Sequence, residues 1–146
     1  MHQTRAQTLR AIPIKRKGTR YVARALSHNS SSVNVLLAVR DMLGLARTQK
    51  EVKEMIKQKT LKINGRVVRD YREPICLFNL FDADKHYKLT VLTTGRYALE
   101  ETKDKNRVAQ VVGKKMLNDK VLQINLHDGT NFISDNLTVR LPNLRM

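Results

Sequence analysis

The sequence predicts an α+β protein: a basic extended N-terminal arm, then a module of two helices plus a hairpin, then a small antiparallel β domain. Three observations carry this. Residues 1–33 hold seven Lys and Arg and no acid. Two stretches with apolar residues at helical spacing then precede an Asn64-Gly65 pair flanked by short apolar runs. After Pro74 the texture changes to short alternating runs separated by turn residues. The expected division is 1–32 for the arm and its loop, 33–76 for the helix and hairpin module, and 77–146 for the β-rich domain.

The charge of the arm belongs to a wider imbalance. Across 146 residues, 28 Lys and Arg face 13 Asp and Glu, a formal charge of +15. Self-repulsion of this size opposes folding unless a polyanion neutralises it. Nucleic acid is the first candidate and an anionic membrane surface the second. The single cysteine, Cys76, excludes an internal disulfide framework and a Cys-rich zinc site. No apolar run approaches the ~18–20 residues that cross a bilayer. "MHQTRAQTLRAIPIKRKGTR" lacks the apolar core of a secretory signal. A mitochondrial transit peptide shares its arginines and lack of acids, but Pro13 and Gly18 interrupt any amphipathic helix.

Residues 1–26 carry one apolar cluster, too small to form a core. They are expected to order on RNA, where phosphate contacts offset a backbone ordering cost of ~1–2 kcal/mol per residue. "SHNSSS" (27–32) reads as the loop joining arm to module.

In "NVLLAVRDMLGLA", Val35, Leu36, Val39, Met42 and Leu43 recur at helical spacing, and Gly44 is a natural stop. Thr48, with Glu51 three residues on, forms a capping-box signature for a second helix, "TQKEVKEMIKQ". On a wheel at ~100° per residue, Val52, Met55 and Ile56 share one side while Lys50, Lys53 and Lys57 share the other. "TLKINGRVV" then alternates around Asn64-Gly65, which suits the two positive φ angles of a type I′ turn. Strands are expected in "CLFNLF", "YKLTVLT", "RYAL", "RVAQVVGKKML", "VLQINLH", "NFIS" and "TVRLP".

The apolar stripe of the second helix must face the first helix and the hairpin, so its lysines must face out. Exposed lysines are ordinary on any helix. Here, however, Arg40 on the first helix and Lys59, Lys62, Arg66 and Arg69 around the hairpin can join them. With Lys15, Arg16, Lys17, Arg20 and Arg24 from the arm, these thirteen residues form the candidate RNA-binding set. Asp70 stands among Arg66, Arg69 and Arg72, where it is expected to hold one arginine by a charge-assisted hydrogen bond. Tyr71 either stacks on a base or covers the edge of a small core.

Two short helices packed on a hairpin with an "(V/I)NG" turn resemble the αL RNA-binding motif of bacterial ribosomal protein four, some pseudouridine synthases and a tyrosyl-tRNA synthetase appendage. "IPIKRKGTRYVAR", "VRDMLGLA", "KINGRVVRDYREPI" and "LQINLHDGTNFI" also occur in the order found in the archaeal and eukaryotic e-type small-subunit ribosomal protein four family. The resemblance implies RNA phosphates across the second helix and the hairpin, and a compact β-rich domain after them. It also implies a KOW-type barrel, which would begin where this chain stops at "TVRLPNLRM", and a longer connection in place of "SHNSSS". A reduced form of the protein is therefore expected.

Other chemistries find little support. "HDG" at 127–129 reads as a turn rather than a catalytic pair. His2, His28 and His86 lack metal-ligand spacing. Cys76 reads as buried. Asp82 and Asp84 flank a turn without a visible cleft. No Gly-rich phosphate loop occurs. The reading is a structural constituent of the small ribosomal subunit in the cytoplasm, partnered by small-subunit ribosomal RNA and neighbouring ribosomal proteins. No catalytic residue, cofactor, metal, membrane or small-molecule substrate is expected. The alternatives are an RNA-modifying enzyme bearing an αL appendage and a ribosome-associated quality-control factor. The first lacks a catalytic motif after residue 76; the second would not need the β domain.

Overall fold

The computed structural model describes residues 2–28, 30–103, 106, 108–118 and 121–134. The chain forms two compact units, 1–107 and 108–146.

In the first unit the arm folds back further than its composition suggests. Strands β1 (Gln3–Thr4) and β2 (Tyr21–Val22) pair antiparallel, with a 3-10 turn at Arg5–Gln7 after β1. Ile12 and Ala25 are buried, and the Tyr97 amide donates to the Ala11 carbonyl at 2.8 Å. The expectation of a core-free arm is thus corrected: its scattered apolar residues cover a core built elsewhere in the chain. The Arg5 guanidinium ties the 15–19 bend, donating to the Thr19 carbonyl (2.9 Å), the Thr19 hydroxyl (3.3 Å) and the Lys15 carbonyl.

The serine run is a loop only in part. Its last residue opens β3 (Ser32–Asn34), which pairs with β6 (Pro74–Cys76) and brackets the helical module at both ends. Asn34 caps helix α1 (Val35–Leu37), accepting from the Leu37 amide at 2.8 Å. The next turn, Ala38–Met42, widens to π geometry. Gly44, at φ 69°, then ends it. Residues 32–39 are buried without a break, because strand β6, the arm and α2 (Gln49–Lys57) enclose them. Thr48 caps α2 as expected, and the Glu51 carboxylate accepts from the Arg47 amide (2.8 Å) and the Thr48 hydroxyl (2.9 Å).

The hairpin forms from β4 (Lys62–Ile63) and β5 (Arg66–Val67). Asn64 and Gly65 have φ of 51° and 80°, as a type I′ turn requires. β4 also pairs with β7 (Leu80–Asp82), which continues to β8 (His86–Val91) and β9 (Tyr97–Glu101). The resulting five-stranded antiparallel sheet runs β5-β4-β7-β8-β9 and so contains the hairpin. Asn64 binds the next strand with its backbone, donating to the Leu80 carbonyl, and with its side chain, accepting from the Leu80 amide, both at 2.9 Å. Phe81, Leu61, Ile75, Leu89 and Leu37 are fully buried at the centre. "CLFNLF" is two strands rather than one, broken where Phe78 takes a φ of 62°.

The second unit is a meander of β10 (Val111–Asn118), β11 (Val121–Leu126) and β12 (Asn131–Ser134). Leu122, Ile124 and Leu126 alternate into its small core. The expected strand "TVRLP" lies outside the described residues.

Candidate nucleic-acid interface

The basic residues of the first unit sit on three adjoining pieces of structure. On α2, Val52 is buried and Met55 and Ile56 half-buried, while Lys50, Lys53 and Lys57 are exposed. The apolar stripe docks against the core, which fixes the lysine stripe outward. Lys59, Lys62, Arg66 and Arg69 are exposed around the hairpin. Lys59 follows the helix at φ 58°, the left-handed geometry that commonly ends a helix.

The third piece is a groove of about 990 Å³ between the arm and the α1 region. Of the candidate residues, Lys15, Lys17, Arg24 and Arg40 line it; Arg16 and Arg20 are exposed but do not. Arg5, Arg47 and Arg72 also line it, and sequence reasoning does not place them there. No local pattern joins positions so far apart; only the folded-back arm brings Arg5 and Lys15 toward Arg47. The groove meets the α2 stripe at Tyr71. That ring lines the groove, with the Lys53 ammonium 5.2 Å and the Arg72 guanidinium 5.6 Å from its centroid.

The candidates differ in how much charge they offer. Arg40 is paired with Asp41 at 2.8 Å, Arg66 with Glu73 at 2.6 Å, and Lys57 with Glu54 at 3.4 Å. Among the described residues, Lys15, Arg16, Lys17, Arg20, Arg24, Lys50, Lys53, Lys59, Lys62 and Arg69 form no ion pair. A phosphate meeting these ten displaces no carboxylate of the described residues, so their charge is available to a polyanion.

Two acids shape the loop instead. Asp70 holds Arg72, accepting from its guanidinium at 3.1 and 3.3 Å and from its amide at 2.8 Å. That hydrogen bond and charge hold the Asp70 carboxyl below its ordinary value. Glu73, which sequence reasoning passes over, is buried. It accepts from the Arg69 and Asp70 amides at 2.7 and 3.2 Å as well as from Arg66. An acid closing "RDYRE" three residues after Asp70 is the available signal.

Of the residues set aside in the sequence, His2 lines the groove, and the others make local contacts. Asp128 accepts from the Thr130 amide and hydroxyl at 3.0 and 2.6 Å, within the turn. The His127 ring accepts from the Gln110 amide at 3.2 Å. His86 lies 2.7 Å from Asp82 across the β7–β8 hairpin, Cys76 is buried, and no metal-holding cluster occurs among the described residues. No described helix is long and apolar enough to cross a membrane.

The chain is similar to known proteins in sequence and fold. Residues 83–141 match the model of ribosomal family S4e. The chain is 30% identical to small ribosomal subunit protein eS4 of Archaeoglobus fulgidus over 142 residues, covering 93% of this chain and 60% of that one. It is 28% identical to the eS4 protein of Natronomonas pharaonis, over 94% of this chain and 61% of that one. The crystal structure of the 30S ribosomal protein S4e from Thermoplasma acidophilum superposes with a TM-score of 0.59 at 21% identity, covering 75% of this chain and 59% of that one. This likeness shows the fold. The chain spans about 60% of the length of the relatives it matches. Over nearly its whole length, and in its α+β fold, the chain is similar to proteins of ribosomal family S4e.

Proposed function

We propose that this chain is a structural constituent of the small ribosomal subunit that binds ribosomal RNA mainly through phosphate contacts. The observation that carries this is the set of cations on the groove, α2 and the hairpin: Lys15, Lys17, Arg24, Lys50, Lys53, Lys59, Lys62 and Arg69 form no ion pair among the described residues. Phosphates neutralised there release counterions, and no base reading is required. The thirteen candidate residues are proposed as contacts, with Arg40, Lys57 and Arg66 the weaker because each is already paired. Residues 33–76 are proposed as the αL module, and the subunit would place the protein in the cytoplasm beside neighbouring ribosomal proteins. The named relatives are small-subunit proteins, which supports the same reading. No catalytic role or cofactor is part of it.

Co-sedimentation tests the proposal. A constituent stays with small subunits, near one copy per particle, through a high-salt wash. Release into the wash fraction would favour a transient quality-control factor instead.

A further inference from the structure

Tyr21 does not fit a surface that only gathers phosphates. It is 52% exposed on the two-residue strand β2, where it pairs with Thr4 of β1. The His2 and Tyr21 rings stand nearly perpendicular, centroids 5.0 Å apart at 84°, and the Arg20 guanidinium lies 5.6 Å from the Tyr21 centroid. The ring lines the basic groove, as do Lys15, Lys17, Arg24 and Tyr71. An aromatic left this open contributes little to the core. Placed among cations, it matches the pairing of stacking ring and basic channel that holds single-stranded nucleic acid.

We propose that the groove takes an unpaired nucleotide of the bound RNA, its base stacked on Tyr21 and its flanking phosphates against Lys15, Lys17 and Arg24. This rests on the RNA-binding reading above and adds a substrate preference to it. A side chain on a fixed ribbon cannot reach a base stacked within an A-form duplex, whose major groove is deep and narrow; a bulged or looped base can leave the stack. The volume also suits a nucleotide, since sites for small ligands run from ~300 to ~1,000 Å³. The α2 lysines would hold duplex phosphates and the groove would hold the extruded base. The arm would then recognise RNA by shape rather than by sequence.

The chain contains no tryptophan, so Tyr21→Trp places one indole fluorophore at the point in question. Two RNAs of equal length and charge, a blunt duplex and a duplex carrying a two-nucleotide bulge, are titrated by filter binding and by fluorescence. The bulged RNA should quench the indole emission and the duplex should not. Tyr21→Leu should weaken binding of the bulged RNA roughly 5- to 100-fold while leaving duplex binding nearly unchanged. Equal binding of both RNAs with no differential quenching would overturn the stacking site and leave phosphate binding standing. Failure of either RNA to bind would overturn both readings. If Tyr21→Leu lowers the melting temperature enough to complicate its affinity, the quenching contrast in the Tyr21→Trp protein decides.

Discussion

Glu73 and Arg66 are joined by a 2.6 Å ion pair in which the Glu73 side chain is buried and the Arg66 side chain is 65% exposed. The asymmetry assigns the roles: Glu73 serves the fold, and Arg66 reaches it from solvent. The second Glu73 oxygen accepts from two amides of the loop that carries Arg69 and Asp70. Glu73→Ala would leave both donors unpartnered and should cost about 1–3 kcal/mol, read as a lower melting temperature. Arg66→Ala should cost less than ~1 kcal/mol, because an exposed partner gains little from the pair. Equal losses in the two variants would show that the ion pair, not the loop amides, is what Glu73 stabilises.

Gly65 sits at φ 80° with open space where a Cβ would project. Backbone conformation alone therefore sets the cost of a side chain there. Gly65→Val should destabilise by more than ~1–2 kcal/mol, and Gly65→Asn by much less, since Asn tolerates the left-handed region. Identical melting curves for the two variants would contradict the turn geometry.

Gly18 has φ 147°, and a Cβ there would stand 2.8 Å from the Arg5 guanidinium. Gly18→Ala should push Arg5 off the Thr19 and Lys15 carbonyls and loosen the bend. In the unbound protein, trypsin should cut first within Lys15–Lys17, and the fragments should stay together because buried Ile12 and Ala25 flank the cut. The Gly18→Ala bend should be cut faster. Digestion running through Arg24 at the same rate as through Lys15 would mean that the arm is undocked.

Two carboxylates are held below their ordinary values, which gives a pH dependence. Glu51, ordinarily at 4.5, is lowered by the Arg47 amide and then the Thr48 hydroxyl; Asp70, ordinarily at 3.8, is lowered by the Arg72 guanidinium. A carboxyl depressed in the folded state stabilises fully above its ordinary value, and the contribution fades as pH falls through the lowered one. The melting temperature should therefore drop on acidification below about pH 4. The double variant Glu51→Gln, Asp70→Asn should lose part of that drop. An unchanged acid slope would mean that neither group contributes.

The legible parts of the fold are those whose signals are local. The Thr48 cap, the α2 stripe, the Asn64-Gly65 turn and the alternation of Leu122, Ile124 and Leu126 follow from neighbours in sequence. Widening of α1 into a π turn does not, because "AVRDM" carries no residue that forces it. The docked arm escapes local reading for a related reason. Ile12, Ile14 and Val22 show no period, since they cover a core that distant residues such as Phe81 and Leu89 complete. The hairpin likewise reads locally as part of the helical module, yet Lys62 and Ile63 pair with Asp82 and Phe81 across the sheet. Of the interface, the α2 and hairpin cations are readable from spacing, while Arg5, Arg47 and Arg72 reach the groove only through tertiary folding.

Phosphate binding by the outward lysines of α2 underlies the proposed function, and the salt dependence of RNA binding reports on it without an intermediate step. Lys50→Ala, Lys53→Ala and Lys57→Ala are combined, and log K for a structured RNA is measured against log salt. The fold should survive, because all three side chains are exposed. The slope should flatten by roughly 0.9 for each phosphate no longer neutralised, and by similar amounts for unrelated structured RNAs. A slope identical to that of the unaltered protein would show that the stripe is merely solvated, and would contradict phosphate binding by α2.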